Sequence, residues 1–157
     1  MNILGIDPGL SGALSLIGDY GQPVFYDTPT LKLEKGRTYD VAAMRAMLAD
    51  MRPTMTIIEK QQSMPGQGVA STFKIGLGYG IWLGLLAALE LPHEIVHPRT
   101  WKAAMMRDMP KEKQASIVKA CQLFPMAAGD LRRKKDDGRA DALLIAAYGQ
   151  RVLTARV

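Results

Sequence analysis

Apolar positions fall in short unbroken runs early in the chain and at helical spacing later. Residues 2–7, 13–18 and 22–27 are such runs, separated by Pro8 to Gly12 and by Asp19-Tyr20-Gly21. Runs of this length bounded by Gly and Pro predict strands, and the short turns between them predict an antiparallel meander. The stretch from Thr28 to Thr38 is polar, carries Lys32, Lys35 and Arg37, and reads as a solvated loop. From Asp40 to Met51, Val41, Met44, Met47 and Leu48 share one helix face, and Pro53 stops the helix. Thr54 to Glu59 is a fourth strand and His93 to His97 a short fifth. Arg99-Thr100-Trp101-Lys102 opens a helix after Pro98, and Lys111 to Phe124 forms another. The last helix begins near Asp137, and Ala142 to Tyr148 gives it a small, apolar packing face.

Residues 69–89 depart from this alternation. Ile75 to Leu89 carries no charge, and Gly76, Gly80 and Gly84 recur at every fourth position. Such a stripe lets a second helix approach closely, as in membrane helix pairs. The uncharged run is shorter than the roughly 20 residues a span needs, and it leads directly into Leu91-Pro92. A soluble helix that is apolar all round must be covered on two sides. A sheet can cover one side. For the other we expect a second copy of the chain, so the segment predicts a homodimer contact and no membrane.

Composition narrows the class. With 157 residues, 48% hydrophobic and 22% charged, the chain reads as a single globular domain rather than a disordered one. Its net charge of +5 and pI near 9.4 favour a polyanionic partner, nucleic acid first. Cys121 is the only cysteine, which excludes an intramolecular disulfide and a cysteine zinc cluster. A cytoplasmic setting is expected, since the start of the chain lacks the pattern of a signal peptide.

Candidate chemistry sits in carboxylates. Asp7 and Glu59 each close a buried-type strand, where an unpaired charge is costly. Asp137 and Asp141 are four apart and share a helix face near its N-terminus. Like charges at that spacing repel, and a divalent cation offsets the repulsion more fully than the helix dipole does. Four carboxylates without cysteine or a strong histidine ligand suit Mg²⁺ or Mn²⁺ rather than zinc. His93 and His97 flank a strand and read as ordinary polar contacts. Two such ions about 4 Å apart activate water and stabilise the leaving oxygen in phosphodiester displacement. The basic run Arg132-Arg133-Lys134-Lys135 abuts these acids, and Gln61 and Gln62 follow Glu59 in a glycine-containing loop. Both suit contact with a nucleic-acid backbone.

Gly5-Ile6-Asp7-Pro8-Gly9, Ile57-Ile58-Glu59 and Asp137-Gly138-Arg139-Ala140-Asp141-Ala142-Leu143 together resemble the RuvC family of Holliday-junction resolvases. Trp101-Lys102 and Lys134-Lys135-Asp136-Asp137 look like its phage-type branch. The resemblance implies an α/β, ribonuclease-H-like fold with a five-stranded mixed sheet flanked by helices. It further implies a homodimer that nicks opposed strands of a four-way DNA junction with Mg²⁺. Asp7, Glu59 and Asp141 match the family's first, second and last acids. The third acid stands three residues before the last in the family, where this chain has Gly138. Asp137 keeps the helix face and is the candidate, with Asp136 as the alternative. Near the second acid, where several relatives carry a basic or aromatic wedge, this loop offers Gln61, Gln62 and Met64.

On this reading Lys134, Lys135 and Arg139 bind the phosphate nearest the acids, and Arg99, Lys102, Lys111, Lys113, Arg132 and Arg133 contact the duplex arms. Three rivals stand beside it. A YqgF-like RNA-processing nuclease shares the first motif. A phosphotransferase of the actin and sugar-kinase type shares the first loop but needs a second domain. A protein that binds branched DNA without cutting it would explain the displaced third acid.

Overall fold

The structure is a computed structural model and describes residues 1–18, 21–112 and 114–155. The expected turn at Asp19-Tyr20 and the expected DNA contact Lys113 lie outside the described residues. Three strands open the chain: β1 (Ile3–Asp7), β2 (Ala13–Ile17) and β3 (Val24–Asp27). They pair antiparallel in sequence order, as the short turns require. The segment from Thr28 to Thr38 is not a featureless loop. It contributes β4 (Thr30–Lys32) and β5 (Arg37–Tyr39), a two-stranded hairpin turned by Gly36 at φ 86°. The register pairs Leu31 with Thr38 and Lys32 with Arg37, so no apolar alternation announces it.

Asp40 caps α1 (Val41–Met51) by accepting the Ala43 N–H at 3.0 Å. Two further strands, β6 (Met55–Glu59) and β7 (His93–Val96), add in parallel, giving the order β3-β2-β1-β6-β7. Parallel neighbours need crossovers, and α1 supplies one and α2 (Val69–Ala88) the other. Three helices follow: α3 (Pro98–Met105), α4 (Ala115–Leu123) and α5 (Asp137–Thr154). The result is the expected five-stranded mixed sheet flanked by helices.

Strand alternation divides the core between the two faces. Leu4, Ile6, Leu14 and Ile58 pack with Met44 and Leu48 of α1 and with Trp82 and Leu86 of α2. On the other face, Ile3, Ile17 and Ile57 pack against Leu143, Leu144 and Ala146 of α5 and Trp101 of α3. The odd positions of β1 and β6 therefore face α5, and Asp7 and Glu59 are odd positions. β1 and α5 are in unusually close contact. A Cβ at Gly5 would stand 2.1 Å from the Ala142 carbonyl oxygen and 2.5 Å from the Ala146 nitrogen, so only glycine lets the helix lie on the strand backbone.

α2 has two unlike faces. Gly78, Trp82 and Leu86 are buried, with Gly78 against the Tyr39 ring. Phe73, Leu77 and the stripe of Gly76, Gly80 and Gly84 are exposed, and a Cβ at any of those glycines would meet nothing. Among the described residues α2 is the helix whose length and hydropathy would suffice for a membrane crossing. Its Trp82–Leu86 face belongs to the core.

Candidate active site

The parallel register of β1 and β6 brings Ile6 opposite Ile58, so one residue further Asp7 and Glu59 leave the sheet side by side. α5 begins beneath them. Asp7, Asp137, Gly138 and Asp141 line one cleft of 270 Å³ with the turn residues Pro8, Gly9, Ser11 and Gly12. Three of the four expected acids thus share a cavity, and the fourth adjoins it.

The electrostatics agree. Burial lifts the Asp7 carboxyl well above its ordinary value of 3.8, the Asp141 and Glu59 carboxylates lift it further, and Lys102 opposes them. Asp141 is also raised by burial, against the Ser116 hydroxyl and Lys102, which favour its charged form. Asp141 Oδ1 is buried and accepts no hydrogen bond among the described residues. Glu59 is held differently. It is 9% exposed, and its Oε2 accepts the Trp101 indole N–H at 2.6 Å and its Oε1 the Gln61 amide at 3.0 Å.

Gly138 explains the displaced third acid. A Cβ there would stand 2.8 Å from the Ser11 carbonyl oxygen and 3.4 Å from Asp7 Oδ2. The first turn closes that position to any side chain. The carboxylate one residue earlier, Asp137, reaches the cleft from the first position of α5. Asp136 faces elsewhere. It is 3% exposed, and its oxygens accept the Arg133 backbone N–H at 2.8 Å and the guanidinium at 2.7 Å. It caps the turn before α5 and lines a different cleft with Arg37, Arg133 and Lys135.

The candidate basic residues divide likewise. Lys134 and Lys135 are exposed and line a 610 Å³ cleft with Asp137, Glu112 and Gln114. Lys102 lies 5.2 Å over the Trp101 ring, and its charge reaches Asp7 and Asp141. Arg99, Lys111, Arg132 and Gln62 are exposed on the surface. Two of the expected arginines are paired with carboxylates within the fold. Arg139 turns from the acids to Asp27 on β3, at 2.7 and 2.9 Å, and Arg133 is taken up by Asp136. Helical geometry is the reason: two residues after Asp137, Arg139 projects about 200° round the helix.

The sequence placed Arg37 in a basic solvated loop and Trp101 in a family motif, and it did not single out Ser116 or tie any of the three to the acids. Arg37 reaches back from β5 to donate to the Ser11 hydroxyl at 2.6 Å, beside the first turn. Each of these pairings is long-range, and only the folded chain brings the partners together.

Among the described residues no three His, Cys, Asp or Glu side chains converge closely enough to enclose an ion. The donor set fits a hard divalent cation on other grounds. It consists of oxygen alone, it includes the unpartnered Asp141 Oδ1, and burial together with the neighbouring carboxylates lifts the carboxyl of Asp7.

Comparison with known proteins places this arrangement. The fold, a mixed five-stranded sheet flanked by helices, is the ribonuclease-H-like fold of RuvC. The chain superposes on Thermus thermophilus RuvC with TM-score 0.62 and 21% identity, covering 98% of each chain. A second structure, T. thermophilus RuvC in complex with Holliday junction substrate, gives 0.62 and 19% over 97% of this chain and 96% of that one. The yeast mitochondrial Holliday junction resolvase Ydc2 gives 0.51 and 14%, over 93% and 78%. In sequence the chain is 33% identical over 134 residues to the chloroplastic Holliday junction resolvase MOC1 of Chlamydomonas reinhardtii, which is 77% of this chain and 15% of that protein. The chain thus spans about a seventh of the length of that relative. No family model matches. The chain thus resembles the Holliday junction resolvase MOC1 in sequence and RuvC in fold, and nothing in these likenesses bears on a phage-type branch.

Proposed function

We propose that the chain is a divalent-metal-dependent endonuclease that resolves four-way DNA junctions by paired nicks, acting as a homodimer. The convergence of Asp7, Asp137 and Asp141 on one cleft, with Glu59 beside them, is the observation that carries this reading. The proteins it resembles are named as Holliday junction resolvases, and one of them is seen with a junction substrate.

Asp7, Glu59, Asp137 and Asp141 would hold Mg²⁺, or Mn²⁺ in its place, as a pair of ions. When bound, such ions polarise the scissile phosphate and make water a nucleophile near neutral pH. The chain's own residues do the rest. Asp7 lies within electrostatic reach of Glu59, Asp137 and Asp141, and the four would hold the metal together. Lys134 and Lys135 flank Asp137 and hold the entering phosphate, and Lys102 offsets the carboxylate charge on the far side. Gln61 ties the loop after β6 to Glu59. A displaced strand passing that loop meets amides and Met64, not an aromatic wedge. Asp136 serves the fold and not the metal.

The dimer follows from α2. Its exposed Phe73, Leu77 and glycine stripe form an apolar face that water solvates poorly. A second α2 at close approach covers it and sets two active sites on one junction.

The test is a pair of substitutions. Asp7→Asn and Asp141→Asn each abolish nicking of a labelled four-way junction in Mg²⁺, by at least about a hundredfold. Both leave junction binding intact or tighter, since each removes a negative charge facing DNA. Wild-type nicking by either variant would refute the site.

A further inference from the structure

One buried side chain touches both halves of the site's charge. Trp101 is fully buried in α3, four residues after His97 caps that helix through the Arg99 N–H. β7 runs beside β6 with Val96 opposite Glu59, and the Lys60 N–H donates to the Val96 carbonyl at 2.8 Å. The first turn of α3 therefore returns directly under the end of β6. There the indole edge donates to Glu59 Oε2 at 2.6 Å, and the indole face carries the Lys102 ammonium at 5.2 Å from the ring centroid.

We propose that Trp101 is the positioning residue of the metal site, its N–H fixing the Glu59 carboxylate and its ring face seating Lys102. The inference rests on the metal-dependent reading above.

The chemistry is specific. An indole N–H only donates, so its partner must be an acceptor oxygen. A donor on Oε2 and the Gln61 amide on Oε1 fix the carboxylate plane and leave each oxygen a lone pair for a cation. Groups that orient a metal's ligands in this way typically govern affinity by about 10- to 100-fold. The ring face acts separately. It attracts the ammonium, with tryptophan the strongest of the aromatic side chains. Lys102 is exposed, and this contact keeps its charge within reach of Asp7 and Asp141. The other tryptophan, Trp82, lies in the opposite core and its N–H has no partner among the described residues.

Two measurements test this. In Trp82→Phe, Trp101 is the remaining indole of the chain's two. Titrating that variant with Mn²⁺ should quench its emission with the saturation that spin resonance gives for Mn²⁺ bound, and Asp7→Asn in the same background should remove the quench. In Trp101→Phe, which keeps a ring but loses the donor, Mn²⁺ binds about tenfold or more weakly. The Mn²⁺ needed for half-maximal nicking rises in step, while junction affinity in chelator stays at the wild-type value. Wild-type Mn²⁺ affinity in folded Trp101→Phe would overturn the inference. If that variant does not fold, unquenched Trp101 emission in a Trp82→Phe protein that binds Mn²⁺ would overturn it. Failure of the wild-type chain to bind Mn²⁺ or nick junctions would refute the metal-dependent reading instead.

Discussion

Asp7 shows how one residue ties stability to the site. Its folded-state pKa lies above 3.8, so ionising it in the fold costs free energy. The metal-free protein therefore loses stability as pH rises from about 4 through the raised value. Asp7→Asn should raise the melting temperature of the metal-free protein at pH 7, and Mg²⁺ should stabilise wild type at pH 7 but not the variant. A lower melting temperature for Asp7→Asn would contradict this. Asp136 behaves in the opposite sense. The Arg133 hydrogen bonds lower its pKa below 3.8, so its contribution is complete above that value and lost as pH falls through the lowered one. Asp136→Asn should flatten the acid limb of a melting-temperature profile between pH 6 and pH 2, and should leave nicking intact. Lost nicking in a folded Asp136→Asn protein would return Asp136 to the site. Asp7, Glu59 and Asp141 were legible in the sequence because each closes a strand or heads a helix face. Helix spacing favoured Asp137 over Asp136, but what Asp136 does instead, capping a short 3-10 turn with Arg133, was not legible.

At the scale of elements, β1 and α5 make the site by lying in contact. Gly5→Val places a branched side chain where the α5 backbone runs, and overpacking of this kind costs about 3 kcal/mol or more. The expected result is a lowered melting temperature together with weakened Mn²⁺ binding, because the helix that carries Asp137 and Asp141 is pushed from the strand that carries Asp7. Loss of stability with metal affinity unchanged would show that the contact is only structural. Strand and helix periods announced the five sheet strands and the five helices with ends a few residues out. The hairpin β4–β5 escaped because its residues alternate no apolar face, and its pairing came from the turn at Gly36. Arg139 misled for a related reason. Its place beside Asp137 in sequence suggested a shared site, while the helix rotates it to Asp27.

For the whole molecule, the proposed paired nicking needs a second copy and a polyanion. Phe73 is 69% exposed on the bare face of α2. Phe73→Glu should weaken dimerisation by at least about tenfold, or about 1.4 kcal/mol, in sedimentation at micromolar concentration. A wild-type monomer at that concentration would refute the dimer. The excess of positive charge has its own signature. Lys134→Ala and Lys135→Ala should each reduce the salt dependence of junction binding by about one phosphate contact.

The most direct measurement is cleavage of a labelled four-way junction by the wild-type chain, with and without Mg²⁺, against a linear duplex of the same sequence. The expected result is paired, symmetric nicks on opposed strands that require both the metal and the junction. Tight junction binding without nicks in Mg²⁺ or Mn²⁺ would contradict it and make the chain a protein that recognises branched DNA without cutting it.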